Sequence, residues 1–141
     1  MPVGNLGPDE VVTESRDSTL ADVTEKLESE GVGAVVVTED DSPVGIVTDR
    51  DAALAIHRND DVANLSVEEV MAEDPATIQE DEEAIEISRA IGEHNVRRFP
   101  VVDEDGSLTG IVTLDDLVAT IGEQLDNVAE TIEAQSPNYS P

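Results

Sequence analysis

The chain predicts an α+β fold made by internal duplication, and three observations carry that expectation. The phrase Gly45-Ile46-Val47-Thr48-Asp49-Arg50-Asp51 returns 65 residues later as Gly110-Ile111-Val112-Thr113-Leu114-Asp115-Asp116. Apolar segments of helical and strand period follow one another in the same order in both halves. Each half, at roughly 60 residues, buries too little surface to be comfortable alone, so the copies should share one core.

The repeat extends beyond the phrase. Val36-Val37 matches Val101-Val102 and Glu39-Asp40 matches Glu104-Asp105 at the 65-residue offset, whereas Leu6, Thr13 and Asp17 match Val70, Thr77 and Asp81 at 64. The one-residue slip is expected near the end of the first helix of each copy, where an added residue is easily absorbed.

In copy one, Leu20, Val23 and Leu27 recur at helical spacing, with Ser18 or Asp17 placed as N-cap. Gly31 and Gly33 end that helix. Ala34 to Val37 reads as a short strand, Thr38 to Pro43 as an acidic turn, Val44 to Val47 as a second strand and Asp49 to His57 as a second helix. Copy two repeats this order. Ala84, Ile87 and Ile91 mark a helix, Phe99 to Val102 and Leu108 to Val112 mark strands, and Asp103-Glu104-Asp105-Gly106 turns between them. The last helix carries a longer stripe of Leu114, Leu117, Val118, Ile121, Leu125, Val128 and Ile132. The organisation that follows is copy one at 2–62, copy two at 66–122, a C-terminal helix extension at 123–135 and a disordered tail at 136–141. Asn59 to Ser66 is the linker.

A strand that turns tightly into a helix exposes backbone N–H groups, a hydroxyl and a carboxylate at one point. That combination suits the sugar and phosphate of a nucleotide. Thr-x-x-Asp is equally a capping-box pattern, in which Thr48 and Thr113 cap the helices that follow and Asp51 and Asp116 return the bond. Gly45 and Gly110 carry the same ambiguity between close approach of a ligand and a bulge. The structural and ligand-binding roles can coexist.

With these residues in view, the chain resembles a tandem pair of CBS domains, the cystathionine β-synthase repeat paired as a Bateman module. The two Gly-Ile-Val-Thr-x-x-Asp phrases carry the resemblance, with Val96-Arg97-Arg98-Phe99-Pro100-Val101-Val102-Asp103 and with Val70-Met71 before Asp74-Pro75; Leu6-Gly7 lacks the usual methionine. The resemblance covers residues 2 to 122. It implies a β-α-β-β-α unit in each copy, the copies related by a pseudo-twofold axis. It also implies clefts between them that hold AMP, ADP, ATP or S-adenosylmethionine. The family's ribose-holding aspartate would be Asp51 or Asp116, and its threonine Thr48 or Thr113.

Charge adds an independent indication. The chain has 34 acidic residues against seven basic ones, a net of −27, yet Arg97 and Arg98 stand side by side. A phosphate entering so negative a protein needs local cations, and the arginine fork is the better donor set for it. In the resembling family, basic residues just before this strand often reach phosphate. The competing reading is a pair that offsets nearby acids. Copy one offers Val32-Gly33 at the 65-residue offset, so the clefts should differ, and Arg50 is a candidate for the other one.

One lysine, one Tyr, one Phe and no Cys or Trp on an aliphatic core predict a halophilic, cytoplasmic protein, of archaeal type. Molar salt shortens the screening length to about 3 Å and relieves the self-repulsion of such a chain. Without cysteine there are no disulfides, thiolate metal sites or cysteine nucleophiles. His57 and His94 lack ligand spacing and read as surface or helix-end residues; no metal site is expected. No basic stripe or aromatic platform points to nucleic acid, and no apolar run is long enough for a membrane span. Nor is there a nucleophile–base pairing, so the expectation is a non-enzyme.

The stripe of the last helix runs about twice as long as its counterpart in copy one, and such a face usually finds a partner. Modules of the resembling family commonly pair through such helices into a disc-shaped homodimer. Two functions follow. One is a regulatory sensor of an adenosyl nucleotide that signals to an unidentified effector protein. The other is a dimerisation or interaction module of the same fold that binds no nucleotide.

Overall fold

A computed structural model describes residues 1–7 and 10–135; the tail expected at 136–141 lies outside them. The order of elements is duplicated as expected. Copy one contains β1 (Thr13–Glu14), α1 (Leu20–Glu30), β2 (Ala34–Glu39), β3 (Ser42–Thr48) and α2 (Asp49–Arg58). The linker holds a 3₁₀ turn at Val62–Asn64, and copy two opens with the short α3 (Val67–Val70). Copy two continues with β4 (Ala72–Glu73), β5 (Ile78–Gln79), α4 (Ile85–His94), β6 (Arg98–Val102), β7 (Leu108–Thr113) and α5 (Leu114–Gln135).

Helix α1 starts at Thr19 rather than at Ser18 or Asp17. The Thr19 hydroxyl accepts from the Asp22 N–H, and the Asp22 carboxylate accepts from the Thr19 N–H at 3.0 Å. The helix ends at Gly31 in the left-handed conformation (φ 63°), which costs glycine no steric penalty.

Strands β1-β2-β3-β4 form one sheet and β5-β6-β7 the other. In each, the first strand runs parallel to the second and the second pairs antiparallel with the third. The hairpins place the slip between copies. Val37 pairs with Gly45, and Val101 with Gly110, so an offset of 64 still holds on β2 and β6 and becomes 65 only after the turn. The helix ends agree, because Gly31 and Asn95 are equivalent C-caps 64 residues apart. The expected slip at the first helix is therefore corrected: the extra residue lies in the hairpin. Copy one closes with Asp40 and Asp41, both at positive φ, in a two-residue turn. Copy two closes more broadly, with Asp103 Oδ1 accepting from the Asp105 and Ser107 N–H groups and Gly106 at φ 84°.

The cores interlock. The first gathers Leu20, Val23, Val35, Val37 and Val47 but also Val67 and Met71, which open copy two; the second gathers Ile87, Phe99 and Val112 but also Val3 from the chain start. Equivalent backbone bonds make the exchange. Val3 N–H donates to Glu82 O and Val67 N–H to Ser18 O, each at 2.8 Å. Ala84 N–H donates to Met1 O and Leu20 N–H to Leu65 O. Each copy thus lends its opening segment to the other, and neither core is complete alone.

Candidate functional site

Both Thr-x-x-Asp turns are capping boxes. The Asp51 N–H donates to Thr48 Oγ1 at 3.1 Å, and Asp51 Oδ2 accepts from the Thr48 N–H at 2.9 Å; Asp116 and Thr113 repeat this at the same distances. Two orphan N–H groups at each helix start are satisfied in this way. The structural reading of the motif is therefore correct at both sites, and it leaves the second carboxylate oxygen open. Among the described residues, Asp51 Oδ1 accepts no hydrogen bond.

Beyond that point the turns part company. Thr48 and Asp51 line a cavity of about 910 Å³ between the copies. Its far wall is the end of α4 and the start of β6, from His94 through Arg98, and Glu73 to Ala76 closes one side. Thr113 lines it as well, whereas Asp116 does not. Asp116 faces the chain start instead, its Oδ2 3.7 Å from where a Cβ on Gly7 would stand.

The arginine pair meets the Thr-x-x-Asp of the other copy. Arg97 and Arg98 line the same cavity as Thr48 and Asp51, and Arg50 joins them. The assignment of Arg50 to the other cleft is thus corrected, for the first turn of α2 points it into this one. Three of the seven basic residues of the chain converge here. Arg97 lies 3.6 Å from Asp115 with both side chains exposed, a contact of small energetic value. Among the described residues Arg98 has no carboxylate within salt-bridge reach. Its Nη2 would lie 3.0 Å from a Cβ added at Gly33. Register makes Gly33-Ala34, rather than Val32-Gly33, the counterpart of Arg97-Arg98, so the basic pair remains without an equivalent.

Gly45 and Gly110 are buried and do not line the cavity. At Gly45 the reason is close packing: a Cβ would stand 2.3 Å from Met71 Sδ. That glycine admits the segment lent by copy two. Sequence reasoning missed several wall residues. His94, the last residue of α4, is exposed as expected but also faces the cavity, its ring edge-on to Phe99 at 6.4 Å. Asp74 adopts φ 48°, an uncommon conformation for a residue with a side chain, and sits in the wall. The Asp74-Pro75 dipeptide was the signal available for it. Ile46, Ala72, Pro75, Ala76 and Val96 supply apolar surface, and Asp49, Glu73 and Asp115 add carboxylates. Among the described residues no group of acids or histidines could hold a metal ion.

The CBS domain family model matches residues 3–58 and 67–123. The chain belongs to the CBS-domain family. An uncharacterised protein of Methanopyrus kandleri is 33% identical over 139 residues, covering 92% of this chain and 71% of that one. A CBS domain protein from Pyrobaculum aerophilum, solved in complex with AMP, superposes with a TM-score of 0.75 at 23% identity, over 82% of this chain and 89% of that one. A CBS domain pair solved with 5′-methylthioadenosine and S-adenosyl-L-methionine superposes with a TM-score of 0.79 at 23% identity, over 88% and 98%. At such identities these structures establish the fold of the pair. No described helix is long and apolar enough to cross a membrane.

Proposed function

We propose that this CBS pair is a regulatory module that binds an adenosyl nucleotide in the cavity between its copies and has no catalytic activity of its own. The observation that carries the reading is the convergence of a Thr48–Asp51 helix start from one copy with Arg97 and Arg98 from the other. Asp51 Oδ1 takes the ribose hydroxyls, and the apolar wall around Val96 and Pro75 takes the base. The arginines, with the N-terminus of α2, take phosphate oxygens. A cavity of this size suits a ligand of that class. Ligand spanning both copies would fix the angle between them, and an effector protein would read the change. A homodimer would give the ligand a second joint to move. The AMP and S-adenosylmethionine complexes of similar CBS pairs support the ligand class.

The test is thermal unfolding in molar KCl with AMP, ADP, ATP or S-adenosylmethionine. A ligand at 100 times its Kd adds about 2.7 kcal/mol of stability. The expected result is a raised midpoint with at least one of the four. If none moves it, the chain is an interaction module of the same fold that binds no nucleotide.

A further inference from the structure

A second cavity, of about 360 Å³, lies where the two hairpins meet. It occupies the opposite ends of β3 and β7 from the larger cavity: Asp41 precedes β3 and Leu108 starts β7, whereas Thr48 and Thr113 end them. The strand from Leu108 to Thr113 sets the two cavities about 16 Å apart. Both copies build the smaller one. Thr13, Thr38 and Asp41 come from copy one, Ser107 and Thr109 from copy two, and Val11 and Leu108 form its apolar part. Beside it Asp41 O accepts from the Leu108 N–H at 2.8 Å, tying the hairpins together. Register makes Pro43 the counterpart of Leu108, and proline has no N–H to give, so the tie cannot be repeated on the other side.

The lining is rich in hydroxyls and poor in charge. Thr109 Oγ1 donates to Val101 O at 3.3 Å and keeps its lone pairs. Among the described residues the hydroxyls of Thr13, Thr38 and Ser107 and the carboxylate of Asp41 make no hydrogen bond. Hydroxyls that both donate and accept, next to a carboxylate that only accepts, match a ligand that itself carries several hydroxyls. Phosphate does not fit, because no cation lines the cavity to offset Asp41 in a chain of net charge −27. A metal ion would lack ligands. The cavity offers one carboxylate, Lys26 Nζ already holds Thr13 O at 2.7 Å, and Leu108 holds Asp41 O. A planar base would find no aromatic face. The volume corresponds to about twelve waters at liquid density, room for a ligand with roughly that many non-hydrogen atoms.

We infer that this cavity is a second ligand site, which takes a neutral polyol of monosaccharide size. Thr38 and Ser107 bond it from the two copies, and the Asp41 carboxylate accepts from adjacent hydroxyls. Its occupant ties the copies together at the end opposite the larger cavity.

Sugars stabilise folded proteins in general by being excluded from their surfaces, so the test reads the site directly. Amide NMR of the full chain in molar KCl is followed during titration with D-glucose, sorbitol or myo-inositol. At least one should give saturable shifts at Thr38, Asp41, Ser107, Leu108 and Thr109. Thr38→Val with Ser107→Ala removes two neutral hydrogen bonds and should weaken that binding about tenfold, with the rest of the spectrum unchanged. Asp41→Asn keeps a residue that tolerates the left-handed turn and should weaken it less. Ethanolamine is the contrasting probe. Saturable shifts with ethanolamine that vanish in Asp41→Asn, and none with the three polyols, would mean a cation site and overturn the ligand class. No saturable shift with any probe, or binding untouched by the double substitution, overturns the site. None of these outcomes depends on nucleotide binding, so they stand apart from the thermal-shift result.

Discussion

The two Thr-x-x-Asp turns have the same sequence signature and the same capping geometry, but they face different surroundings. Thr48–Asp51 opens into the cavity, opposite Arg97 and Arg98, whereas Asp116 abuts the chain start at Gly7. A motif duplicated for its folding role need not be duplicated in its ligand role. What separates the two is the residue pair that register places across the pseudo-twofold axis: arginines against copy one's turn, and Gly33-Ala34 at the equivalent position of copy one.

The largest test of that difference is removal of both arginines. Hydrogen bonds to charged groups contribute about 1.5–3 kcal/mol each, so Arg97→Ala with Arg98→Ala should weaken AMP binding by about a hundredfold. Titration calorimetry in molar KCl measures it, and an unchanged affinity would leave the two turns equivalent in charge. Next come the aspartates. Asp51→Ala and Asp116→Ala should each lower stability by about 1 kcal/mol through the lost capping bond. Only Asp51→Ala should also abolish most of the AMP-induced thermal shift; equal loss in both variants would break the asymmetry.

Ionic strength tests what the copies share. Lowering KCl from molar to millimolar should lower the unfolding midpoint, because screening of the −27 charge is withdrawn. The interlocked cores should unfold in one transition; two resolved transitions would mean that the copies are separable. The smallest effect concerns the first helices, which differ in their caps. Thr19 and Asp22 form a box on α1, while α4 starts at Ala84 with no side-chain cap. The bond from the Thr19 N–H, aided by its hydroxyl, holds the Asp22 carboxyl below its ordinary value of 3.8. A depressed carboxyl contributes stability that is full above the ordinary value and fades as pH falls through the lower folded one. Asp22→Asn should thus slightly destabilise the chain at neutral pH and flatten its loss of stability below about pH 4, as acid titration followed by circular dichroism would record.

Much of the fold was legible because it rests on local rules. Helical spacing at Leu20, Val23 and Leu27, glycine at the α1 C-cap and a valine run at β2 each depend on neighbours in sequence. Even so, the cap of α1 expected at Ser18 or Asp17 lies at Thr19, since all three are competent caps and only the helix start selects among them. The slip between copies was misplaced because Val36-Val37 aligns with Val101-Val102 by identity, while pairing across the hairpin aligns Val37 with Val101. Of the candidate site, Thr48, Asp51 and the arginine pair were legible as chemistry. Their meeting was not, and Arg50 was assigned to the wrong cleft. Gly45 was legible only as a choice between ligand approach and a bulge, and the space its missing side chain leaves is taken by Met71.

By itself the sequence determined a duplicated α+β fold, its capping boxes, an acidic surface and an apolar stripe along α5, because periodicity, capping and charge are properties of short stretches. Only the tertiary structure decided that Val3 and Val67 complete each other's cores, and that the arginines of copy two face the aspartate of copy one. Those contacts join residues roughly 50 to 80 positions apart. Their partners are chosen by which apolar faces can be buried together, and burial is a property of the assembled layers rather than of any segment.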